Sequence, residues 1–299
     1  MRIRPVILCG GAGTRLWSQS KNNLPKQFIN FGGWTLLEKT LERVKGSIFD
    51  YPIISTNLKY LKLVKKYLKK FNIKKYKIVL EPSKQNTAPA MLASALIKDI
   101  PNKQPLMFFA ADHLIEKPSV FNKALNKNKV NLTDQNIFIF GIKPTSPSSE
   151  YGYFLTKKVK GSINKVSKFI EKPKKEKAKQ IIKKKGYWNS GMFFLRKDSI
   201  INNFKKYQPT IYKNCLNSVS KAKLKNNTYY LNKASFIKAT AKSFDYGILE
   251  KTKEINAIKL DIPWSDLGSW IEICKMYSKN KNRYYKKKNV YYRPWGKYV

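Results

Sequence analysis

The stretch Val6-Ile7-Leu8-Cys9-Gly10-Gly11-Ala12-Gly13-Thr14-Arg15-Leu16-Trp17, followed by Pro25-Lys26-Gln27-Phe28, decides how the rest of the chain is read. A short apolar run enters a glycine-rich turn. Glycine has no Cβ, so the backbone N–H groups of such a turn can approach phosphate oxygens closely. Arg15 and Lys26 add fixed positive charge. The stretch therefore reads as a polyphosphate cradle. It is not a P-loop, because Gly13-Thr14-Arg15 lacks the Gly-Lys-Ser/Thr ending. Nor is it the dinucleotide fingerprint, which needs a glycine where Leu16 stands. An ordinary glycine turn between strand and helix is the competing reading. Thr14-Arg15-Leu16 and the Pro25-Lys26 pair favour the cradle.

Bulk properties set the frame. The 299 residues suffice for one large α/β domain or a domain with a small appendage, and 42% hydrophobic residues support a core. No apolar run approaches the roughly 18 residues of a membrane span. Val6-Ile7-Leu8 is too short for a secretory h-region. Cys9, Cys215 and Cys274 are odd in number and widely spaced, so neither a disulfide framework nor a zinc pattern is indicated. A cytoplasmic enzyme without a membrane partner fits these features.

The charge is extreme: 61 Lys+Arg against 18 Asp+Glu, a net +43. The cations are nearly all lysine and lie scattered over Lys62 to Lys77, Lys157 to Lys185 and Lys281 to Lys288, among many Asn, Ile, Tyr and Phe. That mixture reads as compositional drift, with general polyanion attraction at low salt and no specific nucleic-acid site. The positive field also favours encounter with anionic nucleotides and sugar phosphates.

Strand-like runs alternate with helical segments, as in a mostly parallel sheet covered by helices. Strands are expected at Ile3 to Leu8, Pro52 to Thr56, Lys77 to Leu80, Leu106 to Ala110 and Asn136 to Ile142. Thr35-Leu36-Leu37-Glu38 reads as a capping box opening a helix to about Val44. A lysine-rich amphipathic helix should end near Phe71, and another should run from Ala88 to Ile100. Beyond Pro144, Tyr153 to Thr156, Lys165 to Ile170 and Gly191 to Leu195 read as strands separated by lysine-rich helices. Ser269 to Tyr277 reads as a last helix, and Lys279 to Asn289 as a basic linker.

Several of these strands end in polar clusters, where open α/β sheets bind ligands. Asp112 follows the most apolar strand, either as a loop cap or as a Mg²⁺ ligand; magnesium needs only one or two carboxylates beside phosphate oxygens and water. Asp266, in Trp264-Ser265-Asp266-Leu267-Gly268, reads as a helix cap or a second ligand. Their distance in sequence does not show that they converge. Asn86 and Thr87, in Glu81-Pro82-Ser83-Lys84-Gln85-Asn86-Thr87-Ala88-Pro89, read first as helix caps. Glu171-Lys172-Pro173 means little alone in so lysine-rich a chain. Asn189, beside Gly191 in Trp188-Asn189-Ser190-Gly191, suits hydroxyl recognition at a close backbone. His113, the one histidine, sits beside Asp112 as an orienting group. A phosphate nucleophile with a second pKa near 6 needs no general base.

Taken together and in order, these motifs resemble the sugar-phosphate nucleotidyltransferases over about residues 2 to 275. Pro25-Lys26-Gln27-Phe28 is similar to their mannose-1-phosphate guanylyltransferase branch. The resemblance implies a Rossmann-like open, mostly parallel mixed sheet flanked by helices. It implies nucleotide contacts from Gly10, Gly11, Gly13, Thr14, Arg15, Asn86 and Thr87, and Mg²⁺ held by Asp112 and Asp266. Sugar-phosphate contacts would come from Gly152 (in Tyr151-Gly152-Tyr153), Glu171, Lys172, Asn189 and Asp245 (in Phe244-Asp245-Tyr246-Gly247). Arg15, Lys26 and Asp112 would be catalytic. The implied reaction joins GTP and mannose 1-phosphate into GDP-mannose and pyrophosphate. A uridylyl- or thymidylyltransferase acting on glucose 1-phosphate, and a non-catalytic polyanion binder on the same fold, are the alternatives.

The chain departs from the family pattern at Lys84-Gln85, usually Gly-Arg; at Ser148-Ser149-Glu150, usually Glu-Thr-Gly; and at Trp17-Ser18-Gln19-Ser20-Lys21, usually Trp-Pro-Leu-Ser-Arg. Tyr292-Arg293-Pro294-Trp295-Gly296-Lys297-Tyr298 resembles the entry to a cupin domain, which in two-domain relatives carries an isomerase. No histidine follows His113, so no isomerase is expected. The expected division is a nucleotidyltransferase domain at 1–278 and a basic linker with a vestigial cupin-like start at 279–299. A homodimer is compatible with the sequence, which does not fix the oligomeric state.

Overall fold

The computed structural model describes residues 1–11, 24–31, 33–158 and 163–268, with the backbone of 286–287 and 290–291. The first half is built as expected. The apolar runs form β1 (Arg4–Leu8), β2 (Ile53–Asn57), β3 (Lys77–Glu81) and β4 (Pro105–Ala110). They pair in parallel, in the order β3-β2-β1-β4. Each is buried on both faces, as a helix-covered parallel sheet requires. Period-two alternation sends successive side chains to opposite layers. Ile7, Ile54 and Phe109 join the core beneath α1 (Leu36–Arg43), α2 (Leu61–Lys70) and α4 (Pro118–Asn128). Val6, Ile53 and Phe108 join the opposite core, under α3 (Thr87–Leu96), α6 (Lys197–Tyr207) and α7 (Pro209–Ser220).

The capping box at the start of α1 is present in both directions. The Glu38 N–H donates to Thr35 Oγ1 at 3.2 Å, and Glu38 Oε2 accepts from the Thr35 N–H at 2.7 Å. Lys70 also donates to Glu38 Oε1 at 2.5 Å, which ties α2 to the same cap.

The second half departs from simple alternation. The long strand β9 (Tyr187–Arg196) runs antiparallel between β4 and β6 (Ile137–Ile142), and it opens four residues before the expected Gly191. The polar Asn189-Ser190-Gly191 run hides that start, with Gly191 at φ +68°. No helix separates β7 (Tyr153–Lys158) from β8 (Asn164–Ile170). They form an antiparallel hairpin, since the intervening chain is too short for a crossover. A parallel strand β12 (Ile255–Leu260) on β6 and the edge hairpin β10 (Lys223–Lys225) with β11 (Thr228–Tyr230) complete an eleven-stranded mixed sheet. Helix α5 (Lys175–Lys183) follows β8. Helices α4, α6 and α7 were not anticipated by periodicity, and α3 ends at Leu96 before the expected Ile100.

Two short strands position the polar loops at the sheet edge. Leu114–Ile115 (β5) pairs antiparallel with Trp264–Ser265 (β13), matching Ser265 to Leu114. The expected helix at 269–277 lies outside the described residues. So does the 279–299 segment, apart from the antiparallel pair β14 (Lys286–Lys287) and β15 (Val290–Tyr291). Among the described residues no helix is long and apolar enough to cross a membrane.

The capping box carries the first prediction. Thr35→Ala should cost about 1 kcal/mol of stability, read as a lower denaturant midpoint at unchanged m-value. An unchanged midpoint would show that the cap is energetically idle.

Candidate active site

One edge of the sheet gathers the polar clusters. Parallel pairing sets Leu8 level with Ser55 and Ala110, and Asn57 level with Glu81. Gly10, Glu81 and Asp112 therefore follow neighbouring strands at the same edge. β9 enters from that edge, so Asn189 near its start joins them, opposite Gly141 of β6.

The start of the glycine turn is pinned from two sides. Gln27 Nε2 donates to the carbonyls of Cys9 and Gly11, at 3.4 and 3.0 Å, and Thr56 Oγ1 donates to Cys9 at 3.1 Å. Gly10 is a glycine for space: a Cβ there would lie 3.1 Å from Glu81 Oε1. Gly13, Thr14 and Arg15 lie outside the described residues.

Lys26 is the centre of the site. It begins a 3-10 turn at Lys26–Phe28 and is only 5% exposed. Its Nζ lies 3.1 Å from Asp112 Oδ2 and also donates to the backbone carbonyl of Asp266. Asp112 and Asp266 therefore do converge. The reason is the β5–β13 pairing, which lays Ser265 against the chain just beyond Asp112. Leu267, at φ +44° and buried against Phe31 and Leu36, anchors the far side, and its N–H donates to Ser265 Oγ at 2.8 Å.

Burial alone would raise the Asp112 pKa, but the nearby Lys26, His113 and the Lys26 hydrogen bond outweigh it and hold the carboxyl below its ordinary value. Burial pushes His113 the other way, toward the neutral imidazole. Its Nε2 is 4.0 Å from Asp112 Oδ1 and its ring meets Trp264 edge-on. The Asp266 carboxylate accepts from the Tyr151 hydroxyl at 2.8 Å, and the Tyr151 ring packs on Trp188 and Trp264. Two carboxylates on oxygen-rich surroundings suit a divalent cation that also binds phosphate oxygens. Among the described residues no larger cluster of metal-binding side chains exists.

On the far side of Asp266 lies a pocket lined by His113, Tyr151, Gly152, Glu171, Asn189 and Asp245. It unites all but one of the expected sugar-side residues. The Asn189 N–H donates to the Gly152 carbonyl at 2.8 Å, and Asn189 Nδ2 donates to Asp245 Oδ1 at 2.9 Å. A Cβ on Gly152 would collide with the Glu171 carboxylate. Asp245 opens a π-helical turn, Asp245–Leu249. Lys172 differs: it is exposed at φ +45° and does not line the pocket, though its charge acts on both acids. Burial raises Glu171 to about 7, reinforced by Asp245, and burial raises Asp245 to about 6. Where the sequence departs at Ser148-Ser149-Glu150, the Tyr153 hydroxyl fixes the loop: it accepts from the Ser148 N–H at 2.9 Å and donates to the Ser148 carbonyl at 3.0 Å.

On the other side, Asn86 adopts φ +67° and caps α3 through its side chain, which accepts from the Thr87 N–H at 2.8 Å. Thr87 Oγ1 accepts from the Phe244 N–H at 2.9 Å. Gln85, at the departure from the family pattern, is buried and donates to the Ile237 carbonyl at 2.7 Å, so it serves the frame. Sequence reasoning missed Glu81 as a site residue. It is 8% exposed, accepts from Ser55 Oγ at 2.7 Å, and burial raises its pKa to about 7. The signal that found Asp112, a carboxylate closing an apolar strand, would also have found Glu81.

Comparisons with known proteins identify the family and match the fold. The nucleotidyl transferase family profile matches residues 4–283. Mannose-1-phosphate guanylyltransferase 2 of Escherichia coli O157:H7 is 36% identical over 293 residues, covering 93% of this chain and 61% of that relative. The alginate biosynthesis protein AlgA of Pseudomonas fluorescens is 33% identical over 282 residues, covering 92% of this chain and 58% of its own length. A crystal structure from Thermus thermophilus, described as a mannose-1-phosphate geranyltransferase, superposes with a TM-score of 0.81 at 26% identity, covering 93% of this chain and 80% of that one. The chain thus spans about three fifths of the length of the curated relatives it matches.

The acid pair makes a pH prediction. Both folded pKa values lie above ordinary carboxylate values, so the folded chain holds more protons than the unfolded chain between those limits. The pair's contribution to stability is present at low pH and is lost as pH rises through about 6 and about 7. In ¹³C carboxyl spectra, Asp245→Asn should lower the Glu171 midpoint from about 7 toward the ordinary range. A midpoint that stays put would remove Asp245 as a cause.

Proposed function

The chain belongs to the nucleotidyl transferase family, and from that premise we propose that it transfers GMP from GTP to mannose 1-phosphate, releasing pyrophosphate. The observation that carries the reading is the meeting of two unlike half-sites at Lys26, Asp112 and Asp266. One half is a glycine turn beside a buried acid. The other is a hydroxyl-binding pocket of acids and an amide. The name of the Escherichia coli relative supports guanosine and mannose as the two halves joined there.

The sugar's phosphate oxygen attacks the α-phosphorus of GTP. A new O–P bond forms as the bond to the β-phosphate oxygen breaks, and the electron pair leaves with pyrophosphate. The attacking group is already anionic above its second pKa near 6, so His113 takes no proton and orients the loop. Gly10 and Gly11 let the backbone approach the triphosphate, and Arg15 offsets charge on the leaving phosphates. Lys26 lies where the α-phosphate and the incoming phosphate meet. Lys172, outside the pocket, contributes its field to the sugar's phosphate. Asp112 and Asp266 would hold Mg²⁺, which would offset negative charge on the reacting phosphates. Catalysis is positioning plus electrostatics.

Specificity divides between the halves. Guanine presents the donors N1–H and N2–H₂ on one edge, and Glu81, buried beside Gly10, is the acid placed to accept them. Asn86 and Thr87 shape the adjoining wall. Asn189, fixed by Asp245, donates to sugar hydroxyls, while Glu171 and Asp245 accept from them.

A screen of the common nucleoside triphosphates against several sugar 1-phosphates, read by pyrophosphate release, should show highest kcat/KM for GTP with mannose 1-phosphate. A preference for another pair would refute the assignment of substrates. Asp112→Asn should lose about 10² or more in kcat with the fold intact. Glu81→Gln should raise the KM for GTP about ten-fold and leave that for the sugar phosphate unchanged. Gly152→Ala should do the reverse, by displacing Glu171.

A further inference from the structure

Lys26 does more than sit near the reacting phosphates. Its ammonium lies against Asp112 Oδ2 at 3.1 Å and on the Asp266 carbonyl, the two residues assigned to the divalent cation. Its backbone is fixed by the Lys26–Phe28 turn, and the neighbouring Gln27 is tied to Cys9 and Gly11. A buried ammonium needs an anionic or dipolar partner, and here the partners come from both aspartates. Lys26 reaches Asp266 through its backbone carbonyl and Asp112 through Oδ2, so Asp112 Oδ2 is the carboxylate oxygen at which an incoming cation meets Lys26.

We infer that Lys26 is a built-in competitor for the divalent cation and couples its uptake to the arrival of the nucleotide. The inference rests on the proposed role of Asp112 as a cation ligand. A cation approaching Asp112 meets the buried, fixed like charge of Lys26 a few ångströms away. The triphosphate, cradled at Gly10 and Gly11, offers Lys26 a second set of anionic oxygens. When the ammonium turns to them, Asp112 Oδ2 is released. By linkage, the nucleotide then raises affinity for the cation, and the cation raises affinity for the nucleotide by the same factor. A cation without a nucleotide is kept out.

Mn²⁺ titration of the nucleotide-free full chain, followed by the electron paramagnetic resonance signal of free Mn²⁺, tests this without reading activity. Lys26→Met keeps the volume of the buried stem, and Lys26→Gln keeps a polar head for the Asp266 carbonyl; circular dichroism checks that each is folded. Either folded variant should bind Mn²⁺ at least about ten-fold more tightly than the wild type. Lys26→Arg retains the cation and should stay as weak as the wild type. Adding Asp112→Asn should erase the gain. The inference is overturned if loss of the ammonium leaves Mn²⁺ affinity unchanged or lower, or if the gain survives Asp112→Asn. A chain that gains Mn²⁺ affinity as stated but makes no GDP-mannose contradicts the proposed substrates alone. One that makes GDP-mannose while its Lys26 variants gain nothing contradicts this inference alone.

Discussion

The site depends on one ionic contact, the buried ammonium of Lys26 against the half-buried Asp112 and the backbone of Asp266. Lys26 is buried while the Asp112 carboxylate is 34% exposed, so loss of the carboxylate leaves a buried ammonium with the Asp266 carbonyl alone, whereas the carboxylate left behind by loss of the ammonium still meets solvent. The contact in turn depends on the short pairing of β5 with β13, which brings a late segment of the chain against the end of β4. Without it, the nucleotide side and the sugar side would be separate features of one sheet edge.

Charge is distributed with a purpose at the site, whatever its origin on the surface. The chain carries +43 overall, yet Glu81, Asp112, Glu171, Asp245 and Asp266 gather at one edge. In the proposed reaction these acids would accept from base and sugar donors and hold the cation, while the surrounding lysine field would draw in anionic substrates. The cost of that gathering shows in Glu171 and Asp245: burial pushes both toward neutrality, with Asp245 adding to the effect on Glu171 and Glu250 to that on both. Asn189 meets part of it by donating to Asp245.

What could be read from sequence followed local rules. Apolar runs ending in polar clusters gave β1 to β4 and put Gly10 and Asp112 at their ends. Thr35 and Glu38 announced their capping box by spacing alone. The resemblance supplied the convergence of Asp112 with Asp266, and the structure supplies its cause in a two-residue strand too short to show a period. β9 was half hidden because its first residues are polar and make the site. The antiparallel partners of β9 and the hairpin of β7 with β8 are long-range or turn-length facts, absent from any local pattern. Glu81 was legible by the same rule as Asp112, a carboxylate closing an apolar strand, and only its Ser55 partner on another strand was not. Lys172, legible as a motif, proved exposed.

The proposed reaction is a direct displacement, in which two anions held at one sheet edge would react with no covalent link to the protein. The stereochemistry at the α-phosphorus tests it most directly. With guanosine 5′-O-(1-thiotriphosphate) of known configuration and mannose 1-phosphate, in-line attack predicts inversion in the thio-substituted product. Retention would demand a protein-bound nucleotidyl intermediate and would contradict the account.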